Sequence, residues 1–176
     1  MKKIIALLII SAISFTSFSQ SKLPQGSKVP KNKDIFTNFG FCVSSWGVPI
    51  YGSVEYMVHD EVSIGGEISY RGQSEVILDR TYKIRATTIS ARGNYHFNNL
   101  LKIKAPFLFY AGATLGYAIV STNVVSGFGY DGARASGLFF GIQTGGNYYF
   151  TKNWAANVEL GIGNVMGLKL GASYLF

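Results

Sequence analysis

From Ile35 to Phe176 the chain alternates, in eight stretches of roughly ten residues each, between large apolar side chains and small or polar ones, a period of two that predicts β-strands. The last stretch sets Leu168, Leu170, Ala172, Tyr174 and Phe176 on one face and Lys169, Gly171 and Ser173 on the other, with Leu175 the single exception. The one before it opposes Trp154, Ala156, Val158, Leu160 and Ile162 to Ala155, Asn157, Glu159, Gly161 and Gly163. The stretches beginning near Leu138 and Phe107 repeat the scheme, and those containing Val54, Ile64 and Ile89 follow it with more noise. The first, around Phe39, Phe41 and Val43, is the weakest.

Which face meets solvent decides the class. A soluble barrel with a greasy interior needs a charged exterior, but the polar face here is mostly Gly, Ser, Ala and Asn. Small side chains suit the crowded bore of a narrow barrel, and bulky apolar ones suit lipid. The prediction is an all-β, eight-stranded antiparallel up-and-down transmembrane β-barrel, in which every backbone polar group is satisfied without water. Tight turns are expected at His59-Asp60-Glu61 and Thr151-Lys152-Asn153, and longer loops from Gly72 to Thr81 and from Ser121 to Ala135. The short turn near Gly47-Val48-Pro49 and the long one from Asn98 to Ala105 depart from that alternation. Tyr56, Tyr95, Phe97, Phe107, Phe150, Trp154, Tyr174 and Phe176 fall near inner turns or the C-terminus, the placement of an interfacial aromatic girdle.

Composition agrees. Hydrophobic residues make up 48% and charged residues only 14% of 176, too few charges to coat a water-facing surface. No apolar run after residue 20 is long enough to span a bilayer as a helix. Residues 1–19 read as a cleaved signal peptide: basic Lys2 and Lys3, an apolar stretch from Ile4 to Phe15, and small residues at Ser17 and Ser19. Residues 20–33, with Lys22, Lys28, Lys31 and Lys33 among Pro24, Gly26 and Pro30, read as a disordered basic periplasmic leader, and 34–176 as the barrel. Most of the net charge of +7 belongs to these two segments, which leaves a near-neutral barrel and argues against nucleic-acid binding. The lone Cys42 cannot form an internal disulfide.

Signal peptide, eight alternating segments and a final strand ending Tyr174-Leu175-Phe176 together make the chain resemble the small outer-membrane barrels of the OmpX, OmpW and OmpA-domain type. The resemblance covers almost the whole mature chain. It implies outer-membrane location and insertion by the barrel-assembly machinery, with Tyr174 and Phe176 as the assembly signal. It implies no ligand, cofactor or reaction.

Candidate chemistry begins with Glu55, Glu67, Arg92, Glu159 and Lys169, all on the small-residue face. In a sealed lumen such charges must pair, so they are expected to form an internal network and plug, with Glu159 and Lys169 as near-diagonal neighbours across a hairpin. A narrow conducting path lined by the same residues is the alternative. Lys83 and Arg85 share parity with lipid-facing Thr87 and Ile89, and counting up the strand places Arg85 about 30 Å above the inner rim, beyond an apolar band of about 25 Å. With Arg80 they are candidates for lipopolysaccharide phosphates. The glycine-rich 121–135 loop, with Phe128, Tyr130, Asp131 and Arg134, is a candidate for surface recognition. Catalysis of lipid A modification needs His with Ser and an acid, but His59 and His96 both fall near the inner end. A metal site at His59-Asp60-Glu61 lacks a third converging ligand.

Overall fold

A computed structural model describes residues 29–43, 48–77, 80–103, 106–123, 136–163 and 167–176. The segment read as a signal peptide and most of the leader lie outside these residues, as does the 124–135 part of the candidate recognition loop. Eight strands follow in chain order: β1 Ile35–Val43, β2 Ile50–His59, β3 Val62–Ile77, β4 Arg80–His96, β5 Phe107–Asn123, β6 Gly137–Tyr149, β7 Trp154–Gly163 and β8 Leu168–Leu175. Each pairs antiparallel with its neighbours, and β1 pairs with β8 to close the barrel.

The polarity is inside out. Val158, Ile142 and Leu115 stand about half exposed on the outer wall, while Glu159 and Lys169 are buried in the bore. Closure forces opposed strands close together where small residues meet. Gly40 pairs with Gly171, and a Cβ on Gly171 would run into the Phe39 carbonyl oxygen.

Wall height is uneven. β1, β2, β7 and β8 have 8 to 10 residues, which at roughly 3.3 Å per residue and about 40° of tilt span close to the 25 Å apolar band. β3, β4 and β5 have 16 or 17 and rise well beyond it. Within the expected loop from Gly72 to Thr81, residues 72–77 and 80–81 are strand instead: Gly72 pairs with Arg85 and the ladder continues to Ile77 opposite Arg80. Beyond the height of that band a ribbon of two or three strands needs no apolar alternation to satisfy its backbone, so its polar and glycine content imitates a loop. β5 likewise continues through Ser121 to Asn123.

The two ends differ. Three turns and both described termini share one end, here termed the base. Exposed and half-buried aromatics ring it: Trp154 stands edge-on to both Phe39 and Tyr174, Tyr174 to Phe176, and Phe97 packs between Tyr95 and Phe109. The long turn before β5 is tied by Asn98, whose Nδ2 donates to the Phe107 carbonyl (2.5 Å) and whose Oδ1 accepts from the Phe109 N–H (3.0 Å). Inside the base lies a small apolar core of Phe36, Met57, Leu108, Tyr149, Ala155 and Leu175, which accounts for the off-pattern Leu175. Val29 to Lys33, the end of the segment read as a leader, hold defined positions: Val29 packs on this core and Pro30 is buried.

Candidate functional site

Above the apolar core the bore is filled by polar side chains, because the inward position of each strand falls at every second residue and the sequence supplies Glu, Arg, Lys, Asn, Gln or Tyr there. Arg92, in β4, is the hub. Its Nη1 lies 2.5 Å from Glu67 Oε2, its Nη2 pairs with Glu159 Oε2, and its Nε is 3.3 Å from Glu55 Oε1. Lys169 Nζ, from β8, bridges Glu67 Oε1 (2.6 Å) and Glu159 Oε1 (2.9 Å). The five sequence-predicted lumen residues thus form one cluster. Glu159 and Lys169 face each other directly in register rather than diagonally.

Contacts cross the bore. Arg92 reaches from β4 to β7, and Lys169 from β8 to β3. Tyr110 in β5 donates its hydroxyl to Glu159 Oε2 at 2.7 Å, and Tyr51 in β2 donates to Asn157 Oδ1 at 2.8 Å on β7. Glu55 accepts from Asn38, Ser63 and Asn94 at 3.2, 2.6 and 2.8 Å. Gln143 Nε2 donates to Asn94 Oδ1, and Asn147 Nδ2 to Asn38 Oδ1. Every strand contributes a member: Glu55 and Glu159 are each held both by a cation and by neutral donors, and Glu67 by the two cations Arg92 and Lys169.

Sequence reasoning found the charges but not this neutral shell, nor Arg71, which is also buried on the inner face of β3. With Arg71, the inward charges among the described residues number three of each sign: Glu55, Glu67 and Glu159 against Arg71, Arg92 and Lys169. The polar face itself was legible, with Asn157 beside Glu159; what local spacing does not show is which neutral groups bond the charges, although the signal for that shell is parity. Asn38, Asn94, Tyr110, Gln143, Asn147 and Asn157 all share it with the charged residues. Between the network and the far end, a cavity of about 20 Å³ lined by Cys42, Tyr51, Glu67 and Phe139 leaves room for about one water.

The other candidates are dispersed. Arg85 is exposed on the outer face of β4, paired between Gly72 and Ser121 near the far end. Lys83 lies two positions away in the same strand, opposite Ser74 and Asn123, and Arg80 opens the strand. The side chains of Arg80 and Lys83 fall outside the described residues. Tyr174 and Phe176 stand on the base rim, where the Phe176 N–H donates to the Ile35 carbonyl at 3.0 Å. His59 ends β2 at a base turn, its Nδ1 accepting from the Glu61 N–H at 3.4 Å. His96 is fully buried, with Nε2 2.9 Å from Ser63 Oγ.

Among solved structures, the N-terminal β-barrel domain of Pseudomonas aeruginosa OprF superposes with a TM-score of 0.55 at 22% identity, covering 84% of this chain and 100% of that one. OprG from the same organism gives a TM-score of 0.59 at 12% identity, covering 86% and 98%. Neisserial surface protein A gives 0.51 at 17% identity, covering 81% and 93%. At these identities the likeness establishes the fold, that of the small outer-membrane barrels. A comparison with curated proteins returned no match. The model of the outer membrane protein beta-barrel domain matches residues 10–176, and the chain belongs to that family.

Proposed function

We propose that the protein is a closed outer-membrane barrel with a structural or surface-recognition role, its lumen plugged by the Arg92–Lys169 network. The observation that carries the closed lumen is the span of that network: two cations and three carboxylates joined across the bore, with all eight strands contributing polar side chains. A hydrated cation finds the three carboxylates already held by Arg92 and Lys169, and breaking a buried pair to make room costs several kcal/mol.

The sequence supports export by the 1–19 signal peptide and insertion by the barrel-assembly machinery, with Tyr174 and Phe176 as the terminal signal. The base then faces the periplasm, and the tall β3–β4–β5 wall, with the 121–135 loop, faces outward. In that orientation Arg85, with Arg80 and Lys83 on the same strand, meets the outer headgroups, where guanidinium and ammonium groups suit lipopolysaccharide phosphates. The 121–135 loop is the candidate contact for a surface partner. No catalytic step is assigned, since His96 is sealed inside the base.

Single-channel recording of the purified mature protein in planar bilayers tests the closed lumen. No steady current above the bare bilayer is expected, and a steady ohmic current at low voltage would establish the narrow pore instead.

A further inference from the structure

The inward face changes character at the base. Along most of the bore the large inward side chains are hydrogen-bonded polar groups, but at the base Phe36, Met57, Leu108, Tyr149, Ala155 and Leu175 are each no more than 1% exposed and pack on one another. They come from six strands around the wall, Phe36 from β1, Met57 from β2, Leu108 from β5, Tyr149 from β6, Ala155 from β7 and Leu175 from β8, and His96 of β4 stands edge-on to Phe36 at 6.3 Å.

A strap lies over this core. The Lys33 N–H donates to the Met57 carbonyl (2.8 Å) and the Met57 N–H donates to the Asp34 carbonyl (2.9 Å), which extends the β2 ladder beyond β1. The Asn32 N–H donates to Asp60 Oδ1 (2.7 Å) in the β2–β3 turn. Asp34 Oδ2 accepts from the Lys31 N–H (3.0 Å), and Lys33 takes a positive φ of 71° to make the bend. The bend turns Pro30 and Val29 back over the mouth, with Val29 against the apolar core.

From this geometry we propose that the base carries a second seal, an apolar stopper held down by the Val29–Asp34 strap, which closes the barrel independently of the charge network. It rests on the closed-lumen reading above and extends it. The two barriers oppose ions by different physics. The network holds its carboxylates with cations already in place, whereas the stopper is apolar except for the Tyr149 hydroxyl and excludes water from the constriction. Loss of one therefore leaves the other intact.

The test uses the full mature chain in planar bilayers, with heat-modifiable gel migration to show that each variant is folded. Arg92→Ser with Lys169→Ser clears the network, and Phe36→Ser with Leu108→Ser and Tyr149→Ser clears the stopper. Neither set alone is expected to conduct, and the two combined are expected to give a steady current. Current through the network-cleared variant alone overturns the second seal, whereas current through the unaltered protein overturns the closed lumen itself. Should the combined variant fail to fold, a reporter decides. Ala155→Cys in a Cys42→Ser background is expected to resist a water-soluble thiol reagent, and adding Val29→Asp and Pro30→Asp to accelerate its labelling at least tenfold. Equal labelling rates with and without those strap substitutions overturn the strap.

Discussion

Arg92→Met is the sharpest test of how the lumen holds the barrel together. Methionine keeps much of the volume and removes the charge, leaving Glu55, Glu67 and Glu159 without the cation that lies within 3.3 Å of the first and bonds the other two. Lys169 still pairs with Glu67 and Glu159, so those two keep a partner. Glu55, 1% exposed, keeps only the neutral donors Asn38, Ser63 and Asn94. Removing one partner from a buried ion pair typically costs about 3–5 kcal/mol, because the remaining charge stays buried and uncompensated. A loss in that range is expected for Arg92→Met.

The assay is urea-induced unfolding of the mature protein from phospholipid vesicles, followed by tryptophan fluorescence and extrapolated to zero denaturant. Lys169→Met, which removes contacts to two carboxylates rather than three, is expected to cost less. The double variant Arg92→Met with Glu159→Gln closes a cycle whose coupling energy is expected within the range of about 0.5–3 kcal/mol found for contacting residues. An Arg92→Met loss below about 1 kcal/mol would refute the reasoning, since that is the scale of an exposed pair.

Two further outcomes probe the wall. Val158→Arg, on the outer face of β7, is expected to destabilise by about 2–4 kcal/mol if it lies near the bilayer midplane, whereas Arg85→Leu, above the apolar band, is expected to change stability by less than about 1 kcal/mol in the same unfolding assay. Gly171→Val brings Cβ against the Phe39 carbonyl and the Tyr51 hydroxyl at the β1–β8 seam, and is expected to reduce the folded fraction on an unboiled gel, with Ala172→Val beside it, on the outer face, largely tolerated.

Alternation was enough to count the strands and orient their faces, because lipid on one side and a narrow bore on the other impose opposite demands at every second residue. It also picked out all five charges of the network, since a charged residue at inward parity has nowhere else to go. Three features escaped it for physical reasons. Which charges touch depends on barrel shear, which brings β4 against β7 and β8 against β3 across the bore and leaves no trace in local spacing. The tall β3–β4 ribbon stands beyond the apolar band, where the two-faced pattern is not required and Gly72, Gln73 and Ser74 look like loop. The apolar base showed in the sequence only as the off-pattern Leu175, until the ends of several strands were brought together.

The inside-out arrangement also says where register is specified. On the outer face an apolar side chain gains little by meeting another rather than a lipid tail, so Leu168, Leu170 and Val158 do little to distinguish the native β7–β8 pairing from one slipped by a residue. The lumen distinguishes them strongly. A slip of one residue in β8 would carry Lys169 to the lipid face, where a lysine costs about 2–4 kcal/mol near the midplane, and would remove it from Glu67 and Glu159. It would also place Leu168 and Leu170 in a bore that otherwise presents carboxylates and amides at that level. The same holds at the closing seam, where Lys169 lies opposite Cys42 of β1 and a slip would break the barrel's alignment all the way round. In this protein the polar interior therefore selects the register of a barrel whose membrane-facing surface would accept several.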